Sequence, residues 1–134
     1  MKANELMISD WVLYNKIPQQ ILEISGIDDE VYLETDELVH QSEIQPIPLT
    51  PEIFEKNGFI KQGADGWEYI HPDDSTFSYI SYRILYRTYY NNNLFIKKYK
   101  GSNTSATLQI SYINFVHQLQ HALRLCGIEK EIEL

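Results

Sequence analysis

The 134 residues are 43% hydrophobic and 13% aromatic, enough for one compact domain or two small subdomains sharing a core, and this argues against disorder for most of the chain. The formal charge of −8 is lopsided: residues 1–60 carry twelve carboxylates against Lys2, Lys16 and Lys56, net −9, while 61–134 carry seven against eight bases, net +1. The acidic half repels nucleic-acid backbones, the lone Cys126 excludes a disulfide framework or a cysteine-rich zinc site, and the absence of a long apolar run or of an apolar signal core at the start leads to the expectation of a cytoplasmic protein with no membrane span.

Ten tyrosines favour strands. Trp11–Tyr14 and Gln20–Ile24 read as two strands around a turn at Asn15–Pro18, and Val31–Glu34 as a third after Asp28-Asp29-Glu30. This spacing predicts a small β module over 1–45. A hairpin that starts at Asp10-Trp11-Val12 resembles those of SH3-like barrels, by fold-level analogy. Pro46–Leu49 is an extended connector into Thr50–Gly58. There Thr50 caps, Pro51 takes the first helical position and Gly58 supplies a left-handed stop, which predicts a short linking helix over 51–57 that clasps the two halves.

Strand signals resume after Phe59. Trp67–Ile70 is followed by a turn at His71–Ser75, then strands over Phe77–Tyr82 and Ile84–Tyr90. Asn91-Asn92-Asn93 makes a hairpin into Leu94–Lys100, because asparagine tolerates positive φ. Ser102–Ser105 is a loop, and Thr107–Ile110 a last short strand. Ser111 then caps a helix over 112–126 that ends at Gly127, and the tail 129–134 adds an edge strand or frays. Residues 46–134 are thus an antiparallel meander sheet packed by a C-terminal amphipathic helix, and the fold class is α+β.

On that helix Phe115, Val116, Leu119, Ala122, Leu123 and Cys126 gather on one side. His117 and His121 fall on the other with Asn114, Gln118 and Arg124, which makes these five polar residues an outward partner-binding face. The i, i+4 histidines have the spacing of a helical zinc site, with His40, His71, Asp73 and Asp74 as candidate third ligands. Gln118, however, stands where a zinc hydrolase needs a glutamate base, which rules out that chemistry. No nucleophile elbow or phosphate loop occurs, the acidic clusters read as solvated turns, and Cys126 reads as buried. No catalytic residue, cofactor or nucleotide is expected, and the metal reading is a weak alternative.

The first alternative is the stretch Tyr82–Lys100. There Arg83, Arg87, Lys97, Lys98 and Lys100 interleave with Tyr82, Tyr86, Tyr89, Tyr90, Phe95 and Tyr99, a composition that suits single-stranded nucleic acid. Strand alternation sends Lys97 and Lys98 to opposite faces, which opposes this reading. DNA mimicry by the acidic half would need carboxylates spaced like phosphates. The leading expectation is a non-enzymatic protein that binds an unidentified protein partner, with a homodimer as a further assembly.

Residues 5–12, 44–59 and 116–123 are similar to a family of short uncharacterised bacterial proteins met in gut anaerobes and in prophage or mobile-element neighbourhoods. Ser9 stands where that family's glycine would precede the Asp-Trp/Tyr-Val start. The resemblance implies no activity; it implies an accessory role in a mobile element.

Overall fold

In the computed structural model, which describes residues 1, 5–25, 27–72, 80–100 and 103–134, the chain opens on a hairpin of β1 (Trp11–Tyr14) and β2 (Ile17–Ser25). Its turn is two residues, Asn15 at φ 50° and Lys16 at φ 65°, tighter than the predicted Asn15–Pro18. The left-handed pair matches the twist of the flanking strands. Pro18 is therefore inside β2, opposite Leu13. That pair lies next to the bonded Tyr14–Ile17 pair and is not itself hydrogen-bonded. On the other side β3 reaches only as far as Leu33 opposite Ile21, so no ladder calls on the missing N–H.

β2 then carries a bulge between Ile21 and Glu23 against β3 (Glu30–Leu33). The extra residue, Leu22, is exposed, and the inward phase moves from Ile21 to Ile24. β4 (Leu38–His40), a single 3₁₀ turn over Gln41–Glu43 and β5 (Ile44–Gln45) complete the module. Its antiparallel order is β4-β3-β2-β1-β5, around a core of Val12, Ile21, Val31, Leu33, Val39 and Ile44.

The linking helix α1 (Pro51–Lys56) forms as predicted, with Ile53 N–H donating to Thr50 Oγ1 at 3.4 Å. It ends in a Schellman motif: Gly58, at φ 82°, donates to Glu55 O and Phe59 donates to Phe54 O. Phe54 stacks on Trp67 and meets Phe59 edge-on, with centroids 5.5 and 5.2 Å apart. These contacts seat α1 on the second sheet.

That sheet is a plain meander, β10-β9-β8-β7-β6. Its strands are β6 (Ile60–Gln62), β7 (Gly66–Pro72), β8 (Ile80–Arg87), β9 (Asn93–Lys100) and β10 (Asn103–Ile110). Parts of the two predicted strands at 77–82 and 84–90 are one strand, β8. Asp73, Asp74 and Ser75 of the predicted His71–Ser75 turn, Phe77–Tyr79 and Ser102 of the predicted Ser102–Ser105 loop lie outside the described residues, while His71 and Pro72 end β7 and Asn103–Ser105 belong to β10 instead. The β8–β9 link is a helical turn, α2 (Tyr89–Asn92), with Asn91 and Asn92 at φ 65° and 50°; the asparagines do supply the positive φ.

The final helix α3 (Val116–Leu125) starts later than the predicted 112. Residues 113–115 are instead drawn out along the connector: Leu49 N–H donates to Asn114 O, Val116 N–H to Ile47 O, and Pro48 bridges Phe115. Ser111 is no cap. Gln118 Oε1 does that work, accepting from Asn114 N–H at 2.8 Å and Phe115 N–H at 3.2 Å. Gly127, at φ 73°, closes α3 with a second Schellman motif. The tail neither frays nor forms a strand: Ile128 and Ile132 are buried in the larger core with Leu119, Leu123, Ile84 and Leu94. Among the described residues no helix is long and apolar enough to cross a membrane.

Candidate functional site

The most deeply buried charge among the described residues is Asp10, at the entry to β1. A tight turn presents it. Ser9 sits at φ 74°, a conformation that glycine adopts more readily, and Asp10 N–H donates to Met7 O at 3.1 Å. Asp10 Oδ2 accepts from Met7 N–H at 2.7 Å and from His121 Nε2 at 2.6 Å; Oδ1 accepts from Arg124 Nη1 at 3.2 Å. Arg124 Nη2 continues to Glu131 Oε2 at 3.1 Å. A buried carboxylate is tolerable only when paired and hydrogen-bonded in this way. One side chain from the first module therefore ties down two residues of α3 and, through Arg124, the tail.

This overturns the outward-facing reading of the histidines. His117 is buried, stacked on Phe115 with centroids 5.9 Å apart and edge-on to His121 at 5.6 Å. Burial lowers its pKa, with nearby Asp10 opposing and His121 adding to the shift. Its Nδ1 is buried without a partner among the described residues. His121 is mostly buried against Asp10. Gln120, which the helical wheel also leaves polar, is buried too, donating to Lys130 O at 2.8 Å and accepting from Ile132 N–H at 2.6 Å. The amphipathic pattern records only the flank that faces the sheet. The first module and the tail cover flanks that the pattern assigns to water.

The remaining α3 candidates split. Asn114 is half-buried and supports the start of the helix. Gln118, His121 and Arg124 line an open groove of about 500 Å³ with Met7, Ile110, Ile113, Ala122 and Leu125. Met7 and Leu125 are exposed at its edge, Leu125 to 77%. Below it Tyr86 donates its hydroxyl to Ile113 O at 2.7 Å, and burial pushes that phenol up to about 12. The groove floor is thereby pinned to β8.

The described metal-ligand candidates do not converge. His121 presents Nε2 to Asp10, and the two histidine rings meet edge to face. His40 caps the 3₁₀ turn, accepting from Ser42 N–H at 3.2 Å. The His71 side chain, like Asp73 and Asp74, is not among the described groups. Among the described residues no three His, Cys, Asp or Glu are placed to hold an ion. Cys126 is half-buried rather than enclosed, and burial raises its thiol pKa.

The basic stretch is divided by the sheet. Tyr82 and Tyr86 lie on the core side, and Lys98 stands over the Tyr82 ring at 5.9 Å. Arg83, Arg87 and Lys97 take the outer face with Phe95 and Tyr99. Arg83 is not available as a bare cation: Nε and Nη2 donate to Glu68 at 2.8 and 2.9 Å. That pair, with a hydrogen bond to Tyr99, raises the guanidinium pKa. The side chains of Tyr89, Tyr90 and Lys100 lie outside the described ones.

Sequence reasoning missed Asp10, Asn57, Gln120 and Glu131. Asp10 left one trace, a charge placed directly before an apolar strand; the two amides left none. No protein-family model matches the chain, nor does any curated protein or solved structure.

Proposed function

We propose that this is a non-catalytic protein-binding protein of the cytoplasm, and that the groove beside α3 receives an aliphatic or aromatic anchor from a protein partner. One observation carries this reading: an apolar groove of about 500 Å³, flanked by the exposed Met7 and Leu125. Large apolar side chains clustered at a concave surface mark interaction sites, whereas scattered ones do not. The Asp10–His121 pair supports a scaffold role. Nε2 is committed to the carboxylate, which supports a role for the pair in orienting α3.

The first module is in keeping with a binding role. Its order β4-β3-β2-β1-β5, with a 3₁₀ turn before the last strand, agrees with an SH3-like barrel, and this analogy concerns fold alone. An accessory role beside a prophage or mobile element, implied by the resemblance of three segments, belongs to the same proposal. Native mass spectrometry of the protein recovered from its host tests it. The expected result is a stoichiometric second polypeptide that is lost in Leu125→Asp, a variant that keeps the fold because Leu125 is exposed. A bare chain, a small-molecule or oligonucleotide adduct, or a polypeptide retained by Leu125→Asp refutes the groove reading.

A further inference from the structure

Residues 128–134 lie in a slot that joins β1, α1 and α3, and they are held there as a peptide is held. Ile128 and Ile132, four residues apart, fill its apolar floor. The main chain between and beyond them is read by side chains rather than by a strand. Gln120 takes Lys130 O and Ile132 N–H, and Trp11 Nε1 donates to Ile132 O at 2.9 Å. Asn57 takes both main-chain groups of Glu133 at 2.7 Å each, and Lys56 Nζ donates to the Leu134 oxygen. Arg124 holds Glu131, and Lys130 lies over the Tyr69 ring at 4.3 Å.

Contacts of this kind set a simple requirement for a ligand. Main-chain hydrogen bonds accept any extended segment, while side-chain pockets at fixed spacing select among them. The pockets here take two aliphatic residues four apart, and the cation Arg124 at the rim favours a carboxylate between them.

We propose that this slot is a recognition site for an extended acidic segment of a protein partner, with aliphatic residues at i and i+4, and that residues 128–134 occupy it in the resting protein. The site is separate from the groove and stands whether or not the groove reading holds. Arg124 borders both, so an incoming segment must replace Glu131 on the same guanidinium that holds Asp10. Tethering gives the resident segment an effective concentration of at least about millimolar, so a competitor succeeds where the resident is weakened or its own fit is better.

Two measurements on the full chain test the inference. In hydrogen exchange, the Ile132 and Glu133 amides are expected to exchange at least about tenfold faster than those of β8 and β9, by local opening; equal rates, meaning release only on global unfolding, overturn it. In fluorescence anisotropy, a labelled synthetic peptide of residues 127–134 is expected to bind Ile132→Asp, and to lose about tenfold in affinity when Asn57→Ala is added. No binding to Ile132→Asp at millimolar peptide overturns the proposal. So does a dimer, formed by exchange of the segment between copies, that excess peptide fails to dissociate. The exchange measurement needs no variant and decides the matter if Ile132→Asp fails to fold.

Discussion

Replacing Asp10 by asparagine keeps the shape and removes the charge at the junction between the first module and α3. In the native protein the carboxylate is fully buried and accepts from Met7 N–H, His121 Nε2 and Arg124 Nη1. The amide cannot accept at both positions, so one donor faces an NH2 group. Breaking a buried ion pair by removing one partner costs about 3–5 kcal/mol. The cost here is smaller, because the His121 and Arg124 side chains keep 26% and 21% exposure and Arg124 retains Glu131. About 2–3 kcal/mol remains. At about 3–4 °C per kcal/mol for a chain of this length, the midpoint falls by about 6–12 °C. Urea and thermal unfolding measure both quantities, and a cycle with His121→Ala should return a coupling above about 1 kcal/mol. A loss below about 0.5 kcal/mol, or additive single variants, would show that Asp10 does not hold the two modules together.

Three further outcomes follow from the same geometry. Burial lowers the pKa of His117 in the fold, with Asp10, His121 and Glu5 as the charged groups around it. The unfolded chain therefore binds the extra proton. The stabilising share of His117 is complete above its ordinary value of about 6.5 and is lost as pH falls below it. Urea midpoints between pH 5 and 7 should slope less in His117→Phe than in the native protein, and an equal slope refutes this. Gly58→Ala and Gly127→Ala, at φ 82° and 73°, should each cost about 1–2 kcal/mol in the same assay; a neutral effect would mean that the Schellman ends are not strained by a Cβ. Oligothymidylate anisotropy should show no salt-sensitive binding, because Arg83 is paired with Glu68 and the sheet sends Tyr82, Tyr86 and Lys98 to the face opposite Arg87 and Lys97. A steep salt slope that Arg87→Ala reduces would reinstate the nucleic-acid reading.

Local chemistry was enough to read the elements. Thr50, Pro51 and Gly58 bound the linking helix, Gly127 ends the last one, and paired asparagines mark the β8–β9 link, because caps and positive φ are decided within a few residues of chain. Alternation likewise separates Lys97 from Lys98. The start of α3 was not legible, because its first expected turn is taken by a bridge from Phe115 to Pro48, far away in sequence. Nor was the candidate site. A helical wheel assigns one buried side, whereas α3 is covered by the sheet, by the first module through Asp10, and by the tail through Gln120. A buried polar side chain carries no hydrophobic signature, and its partner lies up to 114 residues away. Which histidine is enclosed, which carboxylate is committed and which amide reads a main chain were settled only when the two sheets docked, because burial belongs to the assembled surfaces and not to any residue's own type.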